Sequence, residues 1–233
     1  MPKYKLNYFD IRGFGEIPRL IFNYAGQEFE DRRWAYPDWP EVKHDRRWAY
    51  PDWPEVKHES ETGKSPWLEV DDERIYESGA INRYLATTFG LAGKDAMENA
   101  QIDSIFDIYK DAFKEAAGTY MWVKSPYYNQ VPVFYHEIVE KQYGKLEDMK
   151  PKYDEAIKFW WPLIQKRLDK SGTGFFVSKL SWADFFLADK IETAMNVDEN
   201  FGKKFPKMIE YKNRIHSEPK IQEYLKNRKE SFY

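Results

Sequence analysis

Residues 63–90 read G-K-S-P-W-L-E-V-D-D-E-R-I-Y-E-S-G-A-I-N-R-Y-L-A-T-T-F-G, and the order of elements they specify decides the fold. Trp67 to Val70 and Arg74 to Tyr76 have strand composition and are joined by the acidic turn Asp71-Asp72-Glu73, which predicts an antiparallel hairpin. Pro66 then begins a strand. A proline there loses a ladder hydrogen bond unless the chain turns sharply, and a cis Ser65-Pro66 bond would turn it and leave the Ser65 main chain open to a ligand. Ser78 precedes Ile81, Tyr84, Leu85 and Thr88 at helical spacing, so it reads as an N-cap with Gly90 as the stop. Capping alone would explain that serine. A helix N-terminus with a free hydroxyl also favours a carboxylate, through unpaired amides and the helix dipole, and the whole stretch then forms a surface for a peptide-like ligand.

Working outward, Lys3 to Phe9 alternates as a strand, Gly13 and Gly15 break it, and Ile17, Leu20, Ile21 and Tyr24 mark an amphipathic helix ended by Gly26. Pro18 falls in the first turn of that helix, where it is tolerated. Strand, helix, strand, then hairpin and helix is a thioredoxin-like order. The chain resembles the glutathione transferases, and among them the sigma class that includes glutathione-dependent prostaglandin D synthases. The resemblance runs from Y-K-L-N-Y-F-D-I-R-G through D-W-P-E-V-K, S-P-W-L-E-V and E-S-G-A-I-N-R-Y-L-A to S-W-A-D-F at residue 181, nearly the whole chain. It implies an α/β thioredoxin-like domain over residues 1–92 that binds glutathione. An all-α domain over residues 93–233 would follow and contribute the electrophile pocket.

Composition agrees. A length of 233 residues can bury a substantial core, and 36 basic against 39 acidic residues leave no electrostatic footprint for nucleic acid. No apolar run reaches the roughly 18 residues that span a bilayer, and M-P-K-Y-K lacks a signal-peptide core, so no membrane partner and a cytoplasmic location are expected. With no cysteine there is no disulfide framework, thiolate metal site or cysteine nucleophile, and four histidines make a histidine metal cluster improbable.

The segment D-R-R-W-A-Y-P-D-W-P-E-V-K-H occupies residues 31–44 and again 45–58 without a difference. A solenoid needs three or more units, so this reads as a recent tandem duplication, an engineered insertion or an assembly error. In the family this segment is the second strand followed by the Trp and Lys that reach the glycine carboxylate of glutathione. Arg32 to Tyr36 is favoured as the strand, with Trp53 and Lys57 as ligand contacts and a bulge between; Trp39 and Lys43 are the alternative copy.

Beyond Gly93 the pattern is helical. Met97 to Met121 carries Ile102, Ile105, Phe106, Tyr109 and Phe113; Tyr153 to Leu168 carries Ile157, Trp160, Trp161 and Ile164; and Ser181 starts a helix with Asp184 in a capping-box position. Further helices are expected over Lys207 to His216 and Pro219 to Asn227. These aromatic stripes read as core.

The chemistry implied by the resemblance is activation of the ligand's thiol. A free cysteine thiol has a pKa of about 8.5, so a tyrosine hydroxyl aimed at the sulfur must stabilise the thiolate. Tyr8 matches the family's catalytic tyrosine, although by itself it reads as a half-buried strand aromatic. Ser78 matches the serine that takes the γ-glutamyl carboxylate, and Ser65, before Pro66, offers its main chain to the cysteinyl backbone. Glu77 and Lys64 stand where sigma enzymes usually have glutamines; Glu77 could pair with the γ-glutamyl ammonium but would repel the carboxylate. Asp111 matches the acidic residue that crosses a homodimer interface, though it and Asp107 also read as solvated helix charges. Phe9 and Phe14 are assigned to the electrophile pocket, with Phe14 in place of a thiolate-supporting arginine. Lys110 interrupts the aspartates that bind a metal in prostaglandin synthases, so no metal is expected. The function implied is conjugation of glutathione to small apolar electrophiles, with prostaglandin isomerase or peroxidase side activity within its reach. The competing reading is a crystallin-like protein or ligand carrier on the same fold.

Overall fold

The computed structural model of the chain describes residues 2–34, 57–130 and 133–233. Its first part runs β1 (Tyr4–Phe9), α1 (Glu16–Ala25), β2 (Glu30–Trp34), a 3-10 turn (Lys57–Glu59), β3 (Trp67–Val70), β4 (Glu73–Tyr76) and α2 (Ser78–Thr88). The sheet order is β2-β1-β3-β4, with β2 parallel to β1 and the rest antiparallel, which is the expected thioredoxin-like arrangement. Alternation along β1 buries Tyr4, Leu6 and Tyr8, and the Ile17, Leu20 and Ile21 stripe of α1 is buried with them. Gly26 closes α1 at φ 63, where its N–H reaches the carbonyls of Asn23 and Phe22 and a side chain would be strained.

The second part holds α3 (Ala96–Ala112), α4 (Glu115–Val123), α5 (Val133–Tyr143), α6 (Leu146–Ser171), α7 (Trp182–Val197), α8 (Phe201–Lys204), α9 (Pro206–His216) and α10 (Pro219–Asn227). Its core is aromatic: Trp160, Trp161, Trp182, Phe185 and Phe186 are essentially inaccessible, and Phe106 lies 5.5 Å from Trp182 and 5.1 Å from Phe186 between ring centroids. Among the described residues, no helix is long and apolar enough to cross a membrane.

Several expectations need correction. The single helix expected from Met97 to Met121 breaks after Ala112: Glu115 takes φ 51, and Gly118 lets α4 fold so tightly that a Cβ there would stand 2.3 Å from the Phe113 carbonyl oxygen. The helix expected over Tyr153 to Leu168 extends to Leu146–Ser171, started by the Lys145 N–H donating to Asp148 at 2.9 Å. β2 runs two residues earlier than expected, and Tyr36 lies outside the described residues. Ser78 is the first residue of α2 rather than its cap, a place taken by Glu77.

α7 joins the two parts. Ser181 caps it, and its N–H and hydroxyl both donate to Asp184, at 2.7 and 2.9 Å. That carboxylate, wholly buried, also accepts from the Phe176 N–H and the Tyr211 hydroxyl. On the sheet side, Arg12 Nη1 meets Asp189 at 2.7 Å with both side chains buried. Next to it Arg228 spans Glu16 of α1 and Glu192 of α7, and His216 Nε2 stands 3.8 Å from Glu192.

Burial lowers the His216 pKa to about 4 against the opposing pull of Glu192. The unfolded chain takes up this proton near its ordinary value of 6.5, and the folded chain holds out to about 4. In that window the unfolded state binds more protons, so stability falls as pH drops. Urea unfolding of wild type should show His216 costing on the order of 1–2 kcal/mol at about pH 5 relative to about pH 7. His216→Asn should flatten that slope; an unchanged slope would mean the imidazole titrates normally.

Candidate active site

Strand register gathers the expected residues at one end of the sheet. Asn7, Trp67 and Tyr76 form one rung across β1, β3 and β4, and one residue beyond it on the three strands lie Tyr8, Pro66 and Glu77. The chain directions make this possible: β1 and β4 end where β3 begins. The Ser65-Pro66 peptide is cis, as anticipated, and Pro66 is buried. Ser65 Oγ is buried and meets no hydrogen-bond partner among the described residues.

Tyr8 is 6 % exposed, and its hydroxyl oxygen accepts the Phe14 N–H at 3.1 Å. Two glycines shape this contact. A Cβ on Gly13, whose φ is 44, would stand 2.5 Å from Tyr8 Oη, and one on Gly15 would stand 2.5 Å from Tyr8 Cδ1. The glycines read first as strand breakers therefore form the cradle of the tyrosine. Arg19 braces the same turn, donating to the carbonyls of Ile11 at 2.7 Å and Phe9 at 3.2 Å and pairing with Asp31 at 3.0 Å. Its guanidinium carbon lies 6.0 Å from the Tyr8 ring centroid.

At the start of α2, Glu77 is exposed at φ 67, ψ 120, a conformation seldom held by a residue with a side chain. Ser78 behind it is buried in the first turn. Gly79 lets α2 approach α3, since a Cβ there would lie 3.0 Å from Phe106 Cε1. Phe106 in turn packs edge-on at 6.4 Å against Phe14, whose ring is exposed. Through these contacts Tyr8, Phe14, Phe106 and the start of α2 are brought together at this end of the sheet. Phe9 sits differently: its ring packs against Tyr8 at 5.3 Å and Trp34 at 5.8 Å.

The path from the repeated segment to the site is latched. Arg32 holds Glu59 through two hydrogen bonds, at 2.6 and 3.0 Å, and Arg74 donates to the Glu59 carbonyl at 2.6 Å. Beyond Glu59, Ser60 Oγ donates to the Lys64 carbonyl at 2.7 Å, fixing the loop before Ser65. Lys57 lies over that loop, its Cε 3.0 Å from where a Cβ on Gly63 would be, while Lys64 is exposed. Trp39, Lys43 and Trp53 lie outside the described residues. Asp111 is exposed on α3 and pairs with Lys114 at 3.6 Å. Among the described residues no group of three or more histidine, aspartate or glutamate side chains could hold a metal ion.

Arg12, Arg19, Asp189 and Lys190 are not among the residues expected from the sequence to serve the site. The signal was present, because D-K at 189–190 interrupts the apolar run F-F-L-A, and Arg19 interrupts I-P-R-L-I-F. Charged residues within such stripes are buried only when paired. Burial pushes the Asp189 carboxyl up, but the adjoining Lys190 and Arg12 charges outweigh it and hold it below the usual carboxylate range.

Comparison with known proteins gives a consistent result. Residues 4–87 match the family model of the glutathione S-transferase N-terminal domain, and residues 131–228 match that of its C-terminal domain. Glutathione S-transferase 1 of Ascaris suum is 36% identical over 234 residues, covering 100% of both chains. Two solved structures are similar: a monomeric glutathione S-transferase of the hookworm Necator americanus (30% identity, TM-score 0.78, 99% of this chain and 100% of that one) and a Nu-class enzyme of Haemonchus contortus (31%, 0.73, 100% of each).

Because a Cβ on Gly13 would collide with Tyr8 Oη, Gly13→Ala should displace the phenol and force an unfavourable φ. We expect a stability loss of about 1–2 kcal/mol by urea unfolding and at least a tenfold fall in kcat/KM. Wild-type turnover in this variant would show that the cradle is not required.

Proposed function

The chain belongs to the glutathione S-transferase family and is a glutathione transferase, and from that premise we propose that it joins the glutathione sulfur to small apolar electrophiles, with Tyr8 as the group that activates the thiol. The observation that carries this reading is the Tyr8 hydroxyl accepting the Phe14 N–H at the end of the sheet shared with Pro66 and Glu77. A hydroxyl has two acceptor positions and one proton. An oxygen that accepts from a fixed backbone N–H is a stronger donor of its own proton, and a thiolate is a better acceptor of that proton than a thiol. Each pKa unit by which that bond favours the thiolate corresponds to about 1.4 kcal/mol.

The rest of the ligand is assigned along the row. The γ-glutamyl carboxylate goes to the buried Ser78 and the amides of the first turn of α2, with Glu77 beside its ammonium group. The cysteinyl backbone pairs with the main chain of Ser65, and the unpartnered Ser65 hydroxyl supports a polar neighbour there. The glycine carboxylate goes to Lys57, which the Arg32–Glu59 latch keeps over the loop leading to Ser65, with Lys64 at its margin. That favours the second copy over Lys43. The exposed ring of Phe14, backed by Phe106, supplies the apolar wall for the electrophile. Phe9 supports that wall through Tyr8. Isomerase or peroxidase side activity would draw on the same thiolate. Asp111, exposed on α3, is assigned to the γ-glutamyl amine of a second subunit in a homodimer.

Tyr8→Phe should lower kcat/KM with a chlorodinitrobenzene-type electrophile by about 10–100-fold, the value of a charge-assisted hydrogen bond, while the glutathione Kd stays within about threefold. Equal turnover in the two proteins would remove Tyr8 from the mechanism. For Asp111→Ala, calorimetry should give severalfold weaker glutathione binding while sedimentation still gives a dimer. A fully active monomer in the wild type would overturn the composite site.

A further inference from the structure

Lys190 is a buried ammonium on α7, with its side chain 6% exposed. Its Nζ lies 2.8 Å from Asp189 and 3.5 Å from the Gly13 carbonyl oxygen, with the rings of Phe14, Tyr109 and Phe186 each 5.7 Å away. A leucine would fill such a place without the desolvation that a charge suffers there. The carbonyl it reaches belongs to the Gly13–Phe14 peptide, and the N–H of that same peptide donates to Tyr8 Oη at 3.1 Å. In a trans peptide these two groups point in opposite directions. Ammonium, peptide and phenol therefore lie in one chain: Lys190 N–H to Gly13 O=C, then Phe14 N–H to Tyr8 oxygen.

A cation at the carbonyl end polarises the amide and makes its N–H a stronger donor. A phenol oxygen that accepts a stronger bond gives its own proton more readily. We propose that Lys190 is a positioning residue for thiol activation, acting through the Gly13–Phe14 peptide on Tyr8 so that glutathione bound in the cleft ionises at lower pH. The inference rests on the Tyr8 reading above. The Asp189 carboxylate is divided between Lys190 at 2.8 Å and Arg12 at 2.7 Å, so it does not belong to Lys190 alone. Among the described residues, Tyr109 also faces Lys190, its hydroxyl pushed far above its ordinary range by burial, and the Arg19 guanidinium lies beside the Tyr8 ring. Glu192 is engaged by Arg228 and Arg12, and Lys110 lies over Phe106 beyond Phe14.

The test compares wild type, Lys190→Met, Lys190→Gln, Lys190→Arg and Tyr8→Phe by the pH dependence of kcat/KM and by the ultraviolet thiolate absorbance of bound glutathione. In the two neutral variants the acid limb should move up by about one pH unit, with turnover at about pH 6.5 down about tenfold and glutathione affinity unchanged within about twofold. Lys190→Arg should restore most of the shift. Coincident acid limbs in wild type and Lys190→Met, or a Lys190→Arg variant as impaired as Lys190→Met, would overturn the proposal while Tyr8→Phe still tests the activation mechanism. An unaffected Tyr8→Phe would overturn both. Should the neutral variants fail to fold, the ε-carbon resonance of Lys190 in the wild type decides: it should follow the thiol titration of bound glutathione and stay still with S-methylglutathione. Identical behaviour with the two ligands would reject the coupling.

Discussion

The buried pair between Arg12 and Asp189 is the constraint on which the arrangement of the two domains rests. Arg12 lies in the turn that also contains Gly13, Phe14 and Gly15, and Asp189 lies in the middle of α7. Arg12 Nη2 donates to Thr193 Oγ1 and the Phe232 carbonyl, so the guanidinium ties the Tyr8 cradle to the helical domain and to the last residues at once. Breaking such a pair by removing one partner costs about 3–5 kcal/mol, because the other charge is left buried alone. A hydrophobic contact would give comparable burial but would not set the angle. A guanidinium accepts only a narrow range of directions, and the position of the phenol follows from it.

α7 serves both ends of this design. At its start, Asp184 ties the helix cap to the Phe176 N–H and to Tyr211 of α9. Burial pushes this carboxyl above its ordinary pKa, while the four donors around it favour the charged form. Five and six residues further on, Asp189 and Lys190 meet Arg12 and the Gly13 carbonyl of the sheet domain. The helix is therefore held rigidly in its own domain before it contacts the other. That order suits a cleft whose two walls come from different domains.

Much of this was legible in the residues, and what was missed has a physical pattern. Periodicity gave β1, α1, the hairpin and the last two helices, because a stripe facing a core repeats whatever the details of packing. Tyr8, Ser65 and Ser78 were picked out by likeness to a family, and strand register brings that end of the sheet together around them. The break between α3 and α4 was not legible, since it depends on a left-handed Glu115 and on how closely Gly118 nears the Phe113 carbonyl. Both are tertiary facts. Arg12 and Lys190 were overlooked for a related reason: each reaches across 177 residues, Arg12 to Asp189 and Lys190 to the Gly13 carbonyl, and a charge in an apolar stripe becomes informative only when such a contact is known.

The Glu59 latch bears on how this chain could change length. Arg32 belongs to the first of the two identical stretches and Glu59 follows directly after the second, and their hydrogen bonds rivet the two ends of the intervening chain to the sheet. Lengthening a closed loop between fixed ends costs only about 0.6 kcal/mol per doubling, and fourteen added residues roughly double this one, so the cost rises by about 0.6 kcal/mol. Copying this stretch leaves an arginine at its beginning and the same glutamate after its end, whatever the number of copies. The rivet counts no residues, which makes this junction a place where genetic stuttering can enlarge the protein without disturbing the register of the sheet around Tyr8.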